Sequence, residues 1–180
     1  MEQKESKRRE YAIWGRRVGE QLLAQRLTVS AAESLTGGTI ASMIAQIAGS
    51  SAYFRGSVTS YAVQVKEEVL GVDVNLEGVV SESTARQMAT GVSALLKSDC
   101  AVATTGIAGP GGAEPGKPVG TVCIAALVKV PVIEAGSTAK VRLQSRTCHL
   151  DGDRESVILQ SADAALKLLS EMLEENQKKA

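Results

Sequence analysis

Three polar side chains, Ser34, Tyr61 and Lys66, carry groups suited to nucleophilic catalysis. A serine hydroxyl becomes a nucleophile when a nearby base takes its proton. His149 is the only histidine in the sequence, so an ordinary serine–histidine–aspartate triad exists only if His149 is the base. Lysine takes that role where burial or a cationic neighbour lowers its pKa. Tyr61 and Lys66 are therefore candidate partners of Ser34.

The turn after Ser34 adds a candidate anion site. Gly37 and Gly38 open an amphipathic segment whose spacing predicts a helix. Free backbone N–H groups and the helix dipole favour an oxyanion or a phosphate at such a point. The candidate substrate-binding residues here are Thr36, Gly37 and Gly38.

Each of these residues also fits an ordinary structural role. Ser34 or Thr36 suits a helix N-cap, Tyr61 a half-buried strand end, and Lys66 a solvated helix face. Spacing alone leaves both interpretations open.

The second candidate site is a glycine- and proline-rich segment, residues 104–121, between two apolar runs. Such a loop brings backbone N–H groups close to a ligand, although a solvated connector between strands has the same composition. It matches the start of a P-loop motif as far as Lys117, but Pro118 replaces the hydroxyl that holds magnesium. The candidate substrate-binding residues are Thr105, Gly106, Ile107, Ala108 and Gly109.

Composition excludes several classes of function. Lys plus Arg and Asp plus Glu each number 20, and aromatic residues make up 3% of the chain, so we expect no nucleic-acid partner. No apolar run reaches the ~18 residues of a membrane span, and the charged N-terminus lacks a secretory signal. We therefore expect a cytoplasmic protein with no membrane partner. Three widely spaced cysteines and one histidine predict reduced thiols, no metal site and no cofactor.

The elements that must position these residues alternate between helix and strand patterns. Strands are predicted at residues 27–32, 53–61, 100–104, 119–130 and 139–148. The alternation predicts one α/β layered domain over residues 1–180, with its core over about 8–175. The last two strands have no helix between them, so the sheet is predicted to be mixed.

Helices are predicted from apolar residues at spacings of three and four. Ser81 is the predicted N-cap of one of them, with Glu82 in its first turn. The predicted core faces carry Tyr11, Trp14, Val18 and Leu22; Ile40, Met43, Ile44 and Ile47; Ala85, Met88, Val92, Leu95 and Leu96; and Val157, Ser161, Ala165, Leu168 and Met172. A short amphipathic stretch contains Lys66, Val69 and Leu70.

In their order, these motifs resemble the C-terminal domain of the competence-damage-inducible protein CinA over residues 8–175. The matching segments are Ala32-Glu-Ser-Leu-Thr-Gly-Gly38, Ala48-Gly-Ser-Ser-Ala-Tyr-Phe54, Tyr61 with Lys66 before Leu70-Gly-Val72, Val80-Ser81, Thr105-Gly-Ile-Ala-Gly-Pro110 and Lys117-Pro-Val-Gly-Thr-Val122.

The resemblance implies a PncC-like nicotinamide-nucleotide amidohydrolase, which converts nicotinamide mononucleotide into nicotinate mononucleotide and ammonia in pyridine-nucleotide salvage. It implies a three-layer α/β/α sandwich with a mixed, mostly parallel central sheet, a homo-oligomer and no metal. It also implies that Ser34, Tyr61 and Lys66 are the catalytic residues.

Three positions depart from the family pattern. Leu35 stands where the family often has Cys, Val63 where an Asn is common, and Ile158 where an Arg is usual. The changes at Val63 and Ile158 favour an alternative, a non-catalytic nucleotide-binding or regulatory domain on the same scaffold. The intact Ser34, Tyr61 and Lys66 favour the enzyme.

Overall fold

The structure, a computed structural model, describes residues 2–130 and 140–178, with side chains from residue 13 onward. The side chain of the predicted core residue Tyr11 and the predicted strand residue Ala139 therefore lie outside the described part. The elements are α1 (Glu2–Gln25), β1 (Val29–Glu33), α2 (Thr39–Ala45), a 3-10 turn (Ser50–Ala52), β2 (Phe54–Thr59), α3 (Val63–Leu70), α4 (Glu82–Leu95), β3 (Cys100–Gly106), β4 (Thr121–Val130), β5 (Lys140–His149) and α5 (Arg154–Gln177).

The five strands form one mixed sheet in the order β2-β1-β3-β4-β5. β1 pairs in parallel with both β2 and β3, whereas β4 runs antiparallel to β3 and to β5. Four of the five strands therefore share one direction, and β4 is the exception. The predicted mixed sheet is confirmed, and β1 and β3 lie side by side so that their carboxyl ends share one edge.

Helices cover both faces of the sheet, which confirms the three-layer α/β/α architecture. The core on one face joins α1, α2 and α5 to the sheet through residues such as Val18, Ile44 and Leu169. The core on the other face joins α4 and the end of α3 to the sheet through residues such as Leu70 and Met88. No helix among residues 2–130 and 140–178 has the length and apolarity to cross a bilayer.

Several details of the predicted elements were wrong. β2 is Phe54–Thr59 rather than 53–61, β3 extends to Gly106 rather than 104, and β4 starts at Thr121 rather than 119. β1 starts at Val29 rather than residue 27, because residues 26 and 27 cap the end of α1. Arg26 adopts a positive φ of 54°, and the Leu27 N–H donates to the Leu22 carbonyl. Leu95, predicted on a core face, is 49% exposed because it lies in the last turn of α4.

Close contact between α3 and α4 depends on Gly91. A Cβ atom at this position would lie 2.1 Å from the Leu70 carbonyl oxygen, well inside contact distance. Gly91 thus lets the end of α3 rest directly on α4. Because α3 carries Lys66, this contact also determines where the Lys66 side chain enters the interior.

We predict that Gly91→Ala lowers the free energy of unfolding by about 2 kcal/mol, measured by urea denaturation, because the methyl group forces α3 and α4 apart. An exposed helical glycine would instead gain ~1 kcal/mol from the same change. Thr90→Ala, on the exposed side of α4, is the control and should shift stability by no more than ~0.5 kcal/mol. A stabilised Gly91→Ala protein would contradict the close-contact argument.

Candidate active site

Ser34 and Lys66 meet at the carboxyl end of β1. Ser34 is the first residue after the strand, and its N–H donates to the Thr104 carbonyl on neighbouring β3 at 3.0 Å. Lys66 lies on α3, and its Nζ is 3.0 Å from Ser34 Oγ. The predicted pairing of a hydroxyl with a lysine is therefore present in the geometry.

Lys66 is buried despite its charge-bearing amine, with only 1% of the residue exposed. The solvated helix face is thus the wrong interpretation for this residue. Its Nζ also contacts the carbonyl oxygens of Ser60 at 2.6 Å and Tyr61 at 3.4 Å. Within the described ion pairs no carboxylate is a partner of Lys66. Burial lowers the pKa of Lys66, because desolvation penalises the ammonium form.

The start of α2 is occupied by the protein's own carboxylate. Glu33, fully buried at the end of β1, accepts from the N–H groups of Gly38 and Ile40 at 3.0 Å each and of Ala41 at 2.9 Å. Of the predicted residues only Gly38 is among these donors, and the Gly37 N–H donates to the Ser34 carbonyl at 3.1 Å. Both N–H groups are thus satisfied within the protein, and Glu33 supplies the negative charge at the start of α2, while substrate binding by this turn stays a prediction.

The turn between Ser34 and α2 is held by local contacts. The hydroxyls of Thr36 and Thr104 lie 2.8 Å apart, and the Thr36 carbonyl accepts from Thr39. Gly37 and Gly38 adopt φ values of 55° and 105°, which glycine adopts without strain. Gly38 is the N-cap of α2, so neither Ser34 nor Thr36 has that role. In the described part, the N–H groups of Leu35 and Thr36 have no protein acceptor.

Tyr61 lies at the mouth of the site and is 60% exposed, not half-buried. Its carbonyl contacts Lys66, while its phenol oxygen accepts from Arg154 at 2.9 Å. Arg154 also donates to the Gly109 carbonyl at 2.7 Å. Arg154 therefore connects the β2–α3 turn with the glycine-rich loop, and the Tyr61 hydroxyl has a partner other than Lys66.

The predicted binding segment Thr105–Gly109 is mostly enclosed. The Thr105 hydroxyl donates to the Val79 carbonyl at 2.8 Å, and the Ile107 N–H donates to the Thr121 carbonyl at 2.9 Å. Gly106 pairs with Val122 in the β3–β4 ladder, where a Cβ would lie 2.7 Å from the Thr121 oxygen. The N–H groups of Ala108 and Gly109 have no protein acceptor in the described residues. Only these two of the five predicted residues keep a candidate donor outside the ladder.

The site contacts of two residues, Glu33 and Arg154, were not predicted from the sequence. Glu33 is an acid immediately before the Ser34 turn, and its capping role depends on the chain folding back over it. Arg154 begins α5 after a Gly-Asp pair, a pattern that predicts only a helix start.

Among the described residues, no group of three or more His, Cys, Asp or Glu side chains is arranged to bind a metal ion.

The sequence matches the family described as CinA C-terminal domain over residues 14–173. The chain belongs to this family. CinA-like proteins are similar to it: one from Chlorobaculum tepidum is 40% identical over 157 residues, which are 86% of this chain and 36% of that protein. Another, from Mycolicibacterium paratuberculosis, is 41% identical over 169 residues, 91% of this chain and 37% of that protein. The chain thus spans about a third of the length of these curated relatives.

Solved structures of the CinA superfamily share the fold. The competence-damaged protein (CinA) superfamily protein from Klebsiella pneumoniae 700603 has a TM-score of 0.81 at 30% identity, covering 92% of this chain and 98% of its own. The competence/damage inducible protein CihA from Agrobacterium tumefaciens has a TM-score of 0.78 at 35% identity, covering 91% and 95%.

We predict that Glu33→Ala lowers the free energy of unfolding by about 3 kcal/mol, because three backbone N–H groups lose their acceptor. Glu33→Gln keeps one acceptor oxygen and should lose less than Glu33→Ala. Chemical denaturation measures both, with Glu114→Gln on the exposed loop as a control that stays within ~0.5 kcal/mol. An Ala variant as stable as the parent would show that α2 needs no carboxylate cap.

Proposed function

We propose that the chain is an amidohydrolase that releases ammonia from nicotinamide mononucleotide and leaves nicotinate mononucleotide. The observation that carries the proposal is a buried amine without an ion-pair partner among the described residues, 3.0 Å from a serine hydroxyl. Ser34 is the proposed nucleophile and Lys66 the proposed general base. Family membership supports the substrate class, and the geometry supports the chemistry.

The three oxygen partners of Lys66 accommodate either protonation state of the amine, and the neutral state is the one that can act as a base. An ammonium has three N–H donors, whereas a neutral amine has two donors and one lone pair. The Ser60 and Tyr61 carbonyls accept only, so they take the two N–H groups. The lone pair is then left for the Ser34 hydroxyl. Burial favours this neutral form by lowering the pKa of Lys66.

In the acylation step, Ser34 Oγ attacks the carboxamide carbon while its proton moves to Lys66 Nζ. A C–O bond forms, and the carbonyl oxygen becomes a tetrahedral oxyanion. Leu35 and Thr36 N–H groups are proposed as its donors, because they follow the nucleophile and lack acceptors in the described part. Lys66 then gives its proton to the leaving nitrogen, the C–N bond breaks, and ammonia departs.

The hydrolysis step returns the site to its starting state. Water attacks the acyl-serine carbon, and Lys66 accepts a proton from that water. The intermediate collapses, the C–O bond to Ser34 breaks, and Lys66 returns the proton to Ser34 Oγ. The direct products are a carboxylic acid and one ammonia, and the acid proton passes to ammonia to give a carboxylate and ammonium, so atoms and charge balance without a metal or redox cofactor.

The mouth of the site is where the non-reacting part of the substrate is proposed to bind. A cavity of about 450 Å³ beside Arg154 is lined by Thr39, Glu155, Ile158 and Leu159. Ile158 makes part of this wall apolar, and Val63 is exposed at the first turn of α3. Tyr61 is proposed to orient the pair or relay a proton, with Thr36, Gly37, Gly38 and the Thr105–Gly109 segment shaping the site around the substrate.

A non-catalytic nucleotide-binding or regulatory domain is the second candidate, favoured by Val63 and Ile158 at the site mouth. Measuring ammonia release distinguishes the two candidates, because a binding domain would bind the nucleotide but form no product. From the family resemblance we also propose a homo-oligomer in the cytoplasm.

Ser34→Ala tests the nucleophile. We expect ammonia release from nicotinamide mononucleotide to fall by ~10³-fold or more, because no acyl-serine forms. Ser57→Ala, an exposed serine on β2, serves as the matched control and should keep full activity. Near-normal turnover in Ser34→Ala would identify water as the attacking group.

The pH dependence tests Lys66. We expect kcat/KM to rise with pH through an apparent pKa below the ordinary lysine value of about 10.4, because the active base is the neutral amine. Lys66→Arg should abolish the activity, since guanidinium does not lose its proton, while Lys140→Arg at the far end of β5 should retain it. An active Lys66→Arg enzyme would remove Lys66 from the role of base.

A further inference from the structure

A second cleft, of about 590 Å³, lies between the start of α4 and the neighbouring ends of β4 and β5. Its volume falls within the ~300–1,000 Å³ typical of small-molecule sites. Ser34, Lys66, Tyr61 and Arg154 do not line it. Its polar lining includes Glu77, Glu82, Arg86, Lys117, Thr121 and His149.

One wall of the cleft presents a fixed carboxylate. Glu82 accepts from the hydroxyls of Ser145 at 2.6 Å and Thr147 at 2.9 Å, and Arg86 lies 3.8 Å away. Hydrogen bonds from Ser145 and Thr147 are the main reason that the pKa of Glu82 is lowered, so it is ionised. A carboxylate has about four acceptor positions, and the two hydroxyls leave others open. Glu82 is therefore a rigid acceptor for ligand hydroxyl groups.

Cationic and N–H donors also line the cleft. Lys117 is half-buried, and its Nζ would lie 3.7 Å from a Cβ at Gly78. Its carboxylate neighbour, Glu114, is 3.8 Å away, outside hydrogen-bond distance, so the ammonium keeps donors for a ligand. The His149 imidazole and the Arg86 guanidinium complete the set.

The interior of the cleft contains a hydroxyl without a partner. Thr121 lines the cleft and is 3% exposed, and its Oγ1 has no hydrogen-bond partner among the described residues. A buried hydroxyl left unpaired costs ~1–3 kcal/mol. A ligand hydroxyl or phosphate oxygen near Thr121 would satisfy it.

We propose that this cleft is a second ligand site, which binds a phosphorylated pentose such as ribose 5-phosphate. The phosphate contacts Lys117 and His149, and the sugar hydroxyls contact Glu82 and Thr121. The inference goes beyond the proposed amidase function, since it concerns no residue of the Ser34–Lys66 pair.

The charges favour this class over a bare anion or a neutral sugar. A free phosphate would use Lys117 and leave the Glu82 carboxylate facing a like charge. A neutral sugar would use Glu82 and leave the Lys117 ammonium with only the distant Glu114 carboxylate, 3.8 Å away. A ligand with both a phosphate and vicinal hydroxyls complements both groups at once.

The cleft and the Ser34 site share a wall. The Thr105 hydroxyl donates to the Val79 carbonyl, and Val80 and Ser81, the next residues, line the cleft. The neighbouring Thr104 carbonyl accepts from the Ser34 N–H. Neither Lys66 nor Arg154 lines the cleft, so we expect binding there to require neither side chain.

Isothermal titration of the full chain with ribose 5-phosphate tests the site. We expect a Kd at or below about 1 mM, with inorganic phosphate and ribose each binding at least ~10-fold more weakly. Lys117→Met should weaken ribose 5-phosphate binding by ~10-fold or more, and Thr121→Val by several-fold, since each removes one contact. Lys140→Met, at the opposite end of β5, is the matched control and should bind normally.

Arg154→Met distinguishes the cleft from the mouth of the Ser34 site and should bind ribose 5-phosphate as the parent does. Its failure to bind would place the sugar phosphate in the Ser34 site and overturn the proposal. Absence of binding to the parent, equal affinity for inorganic phosphate, or normal affinity in both Lys117→Met and Thr121→Val would also overturn it. Thermal unfolding of each variant confirms that the fold is intact.

Discussion

Burial of the Lys66 amine is the constraint that shapes the site. An amine removed from water needs acceptors, and the fold provides them from the Ser60 and Tyr61 carbonyls and the Ser34 hydroxyl. The chain must therefore turn directly from β2 into α3, and α3 must lie close enough to α4 for the lysine to reach inward. Because Gly91 has no side chain, α4 can contact the end of α3 directly. The chemistry and the helix packing thus depend on each other.

Buried polar groups are also satisfied within the protein at the start of α2. Glu33 satisfies N–H groups of the first turn of this helix, so the turn that holds Ser34 is rigid before any substrate arrives. A consequence is that the positive end of the helix dipole interacts with the Glu33 carboxylate. The anionic substrate proposed above would then need cationic groups at the rim, where Arg154 bridges Tyr61 and Gly109.

Periodicity is a local property, and from it sequence reasoning predicted the layers and the mixed sheet. The pairing of Ser34 with Lys66 was predicted from their chemistry and from the family resemblance. Sequence reasoning did not distinguish a buried Lys66 from a solvated one, since that depends on which face of a short helix meets α4. Glu33 was missed because capping across a turn leaves no periodic signal. Arg154 was missed because its partners come from two segments far away in the sequence.

Ser34 and Lys66 lie early in the chain, whereas the strand that contacts Ser34 comes later. The Ser34 N–H is held by Thr104, on a strand that begins only at Cys100. During synthesis on the ribosome, the nucleophile therefore remains unanchored until β3 has emerged and paired with β1. A nascent chain that ends before β3 carries both reactive groups without the strand that holds the nucleophile in place.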